Sequence, residues 1–194
     1  MSPESDVLEA LHAPDEVDRI RRAAGRVVRR SGRGELTLIK QPGWAAVPVA
    51  STDHFSAADE ARLLQAIRGS VRRDVWAVAL EPLDNFPPAF AVPPNAGGIS
   101  AFNYECAHFN FALFAGEPSW IVICTTDEYF IVAGSPGFVE SALGCDLNQA
   151  FARFHDFAVD PGWPEDMNNA LPSILRALQS EYAQADAGTP VMLG

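Results

Sequence analysis

Ser119–Gly134 reads SWIVICTTDEYFIVAG. Two runs of apolar, β-branched and aromatic residues flank the polar triplet Thr126-Asp127-Glu128, which is short enough to close a hairpin. Neither run alternates apolar with polar residues. Both strands are therefore expected to be covered on two faces, at the centre of a sheet. Directly downstream, Ser135-Pro136 supplies a capping hydroxyl followed by proline in the first helical turn, with Phe138, Val139 and Leu143 as the buried stripe and Gly144 as the stop. Asp146 with Gln149 has the spacing of a capping box and opens a second helix through about Phe157.

Working outward, Phe102–Phe114 (FNYECAHFNFALF) is aromatic and partly alternating, so a bent or bulged strand is expected there. Val75–Leu80 is a short apolar strand. Between the two lie five prolines and Gly97-Gly98, giving an expected Pro/Gly-rich loop at about 82–98, held on the body by Phe86, Phe90 and Val92. Toward the N-terminus, Val17, Ile20, Ala24 and Val27/Val28 recur at helical spacing, and Gly32 and Gly34 are the expected stop. Glu35–Lys40 and Trp44–Ala50 are expected to pair as antiparallel strands across the Gln41-Pro42-Gly43 turn. A helix capped by Ser56 follows. Toward the C-terminus, a last helix is expected to break at Pro172 and to resume through Leu175, Leu178 and Tyr182, with a frayed tail after Ala185. The sum is an α+β chain, a single domain over residues 1–194, with a mostly antiparallel central sheet packed by about five helices.

The 194 residues carry 14 basic and 25 acidic side chains, a formal net charge of −11. The sign is unevenly spread. Residues 1–73 hold twelve cations against ten acids, whereas residues 74–194 hold only Arg153 and Arg176 against fifteen. From Asp74 to Ala152 there are nine carboxylates and no Lys or Arg. With 48% apolar residues the chain is neither disordered nor collagen-like. Apolar runs such as Trp76–Leu80 fall far short of the about 20 residues that cross a bilayer, so no membrane partner is expected. The acidic start lacks the basic region of a secretory signal, and three cysteines suit reduced thiols; the expected compartment is the cytoplasm. Seven arginines fall between Arg19 and Arg33. No aromatic side chains interleave with them and the net charge opposes nucleic acid, so they are expected to pair with the acidic remainder of the chain or with a second copy of it.

Three constellations bear on chemistry. On the expected strand, Cys106 and His108 point to one face, where an imidazole could draw the proton from a thiol, as in a thiol-dependent enzyme such as a hydrolase. The competing reading is a buried thiol beside a packed imidazole. Cys106, His108, Cys145 and His155 are zinc-ligand types, but their spacing matches neither a C-x2–4-C nor an H-x3–5-H pair, so no metal is expected, nor any other cofactor. The third group is acidic: Asp127 and Glu128 at the hairpin tip with Asp84, Glu105 and Glu117. A surface free of cations suits capture of a basic partner, with Trp120 and Tyr129, and also Trp44 and Trp163, as candidate aromatic anchors.

The segment Trp120–Gly144, WIVICTTDEYFIVAGSPGFVESALG, resembles part of the small acidic immunity proteins that bacteria keep beside polymorphic toxins. The resemblance implies a cytosolic protein-binding module, a toxin inhibitor that blocks its cognate toxin's active site or partner surface. The charge distribution adds that such a toxin would be basic.

Overall fold

The structure, a computed structural model, describes residues 7–30, 36–51, 54–70 and 74–182. In chain order the elements are β1 (Glu9–Leu11), α1 (Pro14–Ala24), β2 (Val28–Arg30), β3 (Leu36–Leu38), β4 (Ala45–Ala50), α2 (Ala57–Ser70), β5 (Val75–Ala79) and β6 (Ala89–Val92). There follow α3 (Ala96–Cys106), β7 (Phe111–Ala115), β8 (Trp120–Cys124), β9 (Tyr129–Gly134), α4 (Pro136–Leu143), α5 (Leu147–Ala158) and α6 (Glu165–Tyr182). Seven strands form one antiparallel sheet in the order β1-β6-β5-β7-β8-β9-β4, and β2 and β3 form a separate pair. The chain is thus α+β, a single domain.

The β8–β9 hairpin is interior to the sheet, with β7 beyond β8 and β4 beyond β9. Alternate side chains go to opposite faces. Trp120, Val122, Cys124, Phe130 and Val132 join the core under α2, α3 and α4. Ile121, Ile123, Ile131 and Ala133 join the core under α1, the β2–β3 pair and the C-terminal half of α6. No residue of β8 is more than 1% exposed, which is why the run carries no polar alternation. Each large apolar side chain so buried stabilises by roughly 1.5–3 kcal/mol. A third cluster, Phe154, Ala158, Leu171 and Leu175, joins α5 to α6, and both helices pack against the edge strand β4.

The helix starts follow their caps. The Ser56 hydroxyl accepts the Asp59 amide at 3.2 Å while the Asp59 carboxylate accepts from the Ser56 amide. Ser135 caps α4 through the Phe138 amide at 3.3 Å, and Asp146 caps α5 through the Gln149 amide at 2.9 Å. Gly144 ends α4 at φ 65°, a left-handed conformation in which glycine carries no penalty.

Several expectations are overturned. Phe102–Phe114 is not one strand: its first part belongs to α3, and only Phe111–Ala115 is extended. Asn95 caps α3 by accepting the Gly98 amide at 2.8 Å, and Ile99, Phe102, Asn103 and Cys106 then recur at helical spacing and are all buried. Gly98 fits because a Cβ there would strike the Pro93 carbonyl. The expected 82–98 loop is therefore two short connections separated by β6, with Gly97 and Gly98 inside α3. The first helix ends at Ala24, since Val28–Arg30 pairs with Leu36–Leu38. Gly32 and Gly34 lie outside the described residues. The segment 44–50 pairs not with 35–40 but with β9, Ala45 opposite Gly134 through Ala50 opposite Tyr129. Pro172 sits within a continuous α6. The tail after Ala185 also lies outside the described residues.

Candidate functional site

At one end of the sheet β5 and β8 finish while β7 and β9 begin, with Ala79 opposite Phe111 and Cys124 opposite Phe130. The β5–β6 connection bearing Asp84, the α3–β7 turn and the β8–β9 turn with Asp127 and Glu128 are all at this end. Phe86 packs on Phe109 at 5.5 Å, tying the first of these to the second. The β4–α2 connection closes the rim, since the Ser51 amide donates to the Glu128 carbonyl at 3.0 Å.

Two polar devices hold this rim. Thr125, 8% exposed, places its hydroxyl 2.8 Å from the Asp127 carbonyl and 2.5 Å from that of Tyr129, fixing the hairpin tip. Asn103, 6% exposed, accepts the Phe55 amide at 2.7 Å and donates to the Phe55 carbonyl at 2.9 Å and to Glu60 at 2.5 Å. A buried amide with its groups matched in this way joins α3 to the start of α2 and sets His54 beside the α3–β7 turn. The His54 and His108 rings stack at 5.6 Å, and Tyr104 lies 6.3 Å from His54.

Asp84, Glu105 and Asp127 are exposed and Glu128 is half-buried, and none of the four forms an ion pair among the described residues. Glu117 is not with them. It sits on the β7–β8 turn at the opposite end of the sheet, a strand length or about 17 Å away. There Arg26 pairs with it. Trp120 must also be removed from the candidate surface: it is 1% exposed and stacked on Phe138 at 5.0 Å. Tyr129 is half-buried with its ring edge-on to Phe154 at 6.1 Å. Burial, and then the Asp127 charge, push its phenol up to about 12. Trp163 packs on Phe157 at 5.0 Å and donates its indole N–H to the Phe157 carbonyl at 2.8 Å. The exposed aromatic is Tyr104, at 72%. The strand expected at this segment gives Tyr104 no distinct exposure; on α3 it falls outside the stripe of Ile99, Phe102, Asn103 and Cys106.

Helical geometry also removes the argument that placed Cys106 and His108 on one strand face. Cys106 ends α3 fully buried in the core. Burial, and next the Glu105 charge, push its thiol far above the ordinary range, which opposes thiolate formation. His108 is half-buried between His54 and Phe109, and its Nδ1 finds no partner among the described residues. Cys145 and His155 lie apart from them, on the α4–α5 turn and on α5, and no three His, Cys, Asp or Glu side chains among the described residues converge as metal ligands would.

The arginine-bearing segment divides its cations. Arg26 pairs with Glu117, Arg19 lies 3.7 Å from Glu16 and 4.8 Å over the Trp76 ring, and Arg21, Arg22 and Arg29 are exposed. Arg33 lies outside the described residues. Among the described residues no helix is long and apolar enough to cross a membrane. Comparison with protein-family models, with curated proteins and with solved structures finds no match to this chain.

Proposed function

We propose that the chain is a protein-binding module of the immunity type, which neutralises a basic toxin in the cytoplasm by covering part of it with this rim. The observation that carries the reading is the rim itself: Asp84, Glu105, Asp127 and Glu128, which form no ion pair among the described residues, beside an exposed Tyr104. Uncompensated carboxylates raise the rate of encounter with a cationic surface, and a tyrosine adds contact area at small entropic cost. The buried thiol supports the same choice, because it weakens the competing reading of a Cys106/His108 enzyme.

The test uses the full chain as bait in its native host, followed by kinetic measurement on the captured partner. A basic partner is expected, with association slowing as ionic strength rises. Combined Asp127→Lys and Glu128→Lys should slow association by about tenfold or more, and Tyr104→Ala should speed dissociation. Binding left unchanged by all three substitutions, or an acidic partner, would sink the proposal.

A further inference from the structure

The rim leaves the arginines of α1 and β2 unused. Arg21, Arg22 and Arg29 are exposed, and none of the three forms an ion pair among the described residues. Two of them, Arg21 and Arg29, line one groove of about 370 Å³ between the end of α1, the β2–β3 pair and the end of β5. Leu36, Val78 and Leu80 line it with apolar surface, and Leu36 and Leu80 stay partly exposed. Glu81 also lines it, but its carboxylate accepts the Asn110 side-chain amide at 2.7 Å. An apolar groove with two cations on its walls fits a segment that brings an aromatic side chain beside carboxylates, because a guanidinium both pairs with carboxylates and stacks on rings.

The same chain carries such a segment. On α3 the exposed Tyr104 stands next to Glu105, with Asp127 on the hairpin tip of the same rim, and neither acid forms an ion pair among the described residues. The groove and the rim share one end of the sheet, where β5 finishes at Ala79. They lie on its two faces, the groove on the side of α1 and Tyr104 on the side of α3. Two copies meeting end to end therefore place each rim on the other's groove, and the exchange closes a pair about a twofold axis instead of extending a filament. The net charge of −11 opposes such a meeting at long range. At physiological ionic strength that repulsion is screened beyond about 8 Å, whereas opposite charges in contact are screened far less.

We infer that the chain forms a twofold dimer in which Tyr104, Glu105 and Asp127 of each copy dock on the groove flanked by Arg21 and Arg29 of the other. The tyrosine ring covers Leu36 and Leu80, and the carboxylates face the guanidinium groups. The inference needs the rim's charge but no toxin, and the chain alone tests it. Within the dimer the rim is covered, so a basic partner would have to displace the second copy.

Sedimentation velocity of the full chain at physiological ionic strength, from about 1 μM to about 1 mM, covers the range of a small, transient interface. A concentration-dependent equilibrium between monomer and dimer is expected. Arg21→Glu combined with Arg29→Glu should weaken it about tenfold or more, because symmetry repeats each like-charge contact, and Glu105→Lys combined with Asp127→Lys should do the same. Tyr104→Ala should weaken it as well. The substituted side chains are exposed, so the variants should melt close to the parent. The decisive measurement mixes the two charge-reversed chains. Each alone sets like charges together at both contacts, whereas a mixed pair sets opposite charges together at both, so mixing should restore the dimer. The inference is overturned if the parent stays monomeric at every concentration, if either reversed chain dimerises as tightly as the parent, or if the mixture stays monomeric. A monomeric parent would leave the groove to an acidic segment of another protein, and growth beyond a dimer would overturn the twofold closure.

Discussion

The β7–β8 and β8–β9 turns look alike in sequence: each joins two central strands, and each carries acid in a stretch without a single Lys or Arg. In the folded chain they differ. Glu117 on the first turn meets Arg26, delivered by the segment that follows α1. Asp127 and Glu128 on the second meet no cation among the described residues. Charge counted along a chain measures supply, whereas charge available to a partner is what remains after internal pairing. That difference leads to the choice of the rim over the opposite end of the sheet.

The largest expected effect concerns what holds the uncompensated end together. Asn103→Ala removes the partner of both the Phe55 amide and the Phe55 carbonyl, and should cost about 3 kcal/mol in denaturant unfolding, with the rim losing its binding geometry. A loss below about 1 kcal/mol would mean that the rim stands without this clamp.

Alkaline titration sharpens the comparison next, because the Asp127 charge acts on Tyr129 at the foot of β9. The folded-state phenol stands at about 12 against an ordinary 10.0, so the folded chain keeps a proton that the unfolded chain releases. The contribution of this group is complete below pH 10 and declines as pH rises toward 12, by about 1–2 kcal/mol once solvent screening is allowed for. Unfolding measured at pH 8 and pH 11 should show the decline, and Tyr129→Phe should reduce it. An equal decline in that variant would place its origin elsewhere, for instance at the raised Tyr182 or Cys106.

The smallest effect belongs to the compensated turn. Arg26 and Glu117 are both well exposed, at 62% and 69% of their side chains, so Glu117→Gln should change stability by less than about 1 kcal/mol. Its proposed partner affinity should not change, in contrast to charge reversal at Asp127 and Glu128. A large change in affinity would mean that both ends of the sheet face the partner.

Legibility followed the range of the forces involved. The β8–β9 hairpin and the caps at Ser56, Ser135 and Asp146 were readable because turn closure and capping act over two to four residues. Phe102–Phe114 resembles a strand in sequence because the alternation of Phe109 and Phe111 masks the helical spacing of Ile99, Phe102, Asn103 and Cys106, in which a buried asparagine stands at an apolar position. Of the candidate surface residues, Asp84, Glu105, Asp127 and Glu128 lie at one end of the sheet and Glu117 at the other, a separation that composition does not encode. Trp120 lies in the core rather than on the surface, and nothing local in sequence distinguishes a tryptophan in a core from one at an interface.

By itself, then, the sequence determined the α+β class, the buried hairpin and the excess of acid after residue 73, because period, turn chemistry and charge are local properties. Tertiary structure alone decided that 44–50 pairs with β9, that Arg26 neutralises Glu117, that Cys106 is sealed in the core and that Trp120 is stacked on Phe138 inside it. Each of these depends on which distant segment arrives beside a residue, and that choice is made by the burial of the whole chain.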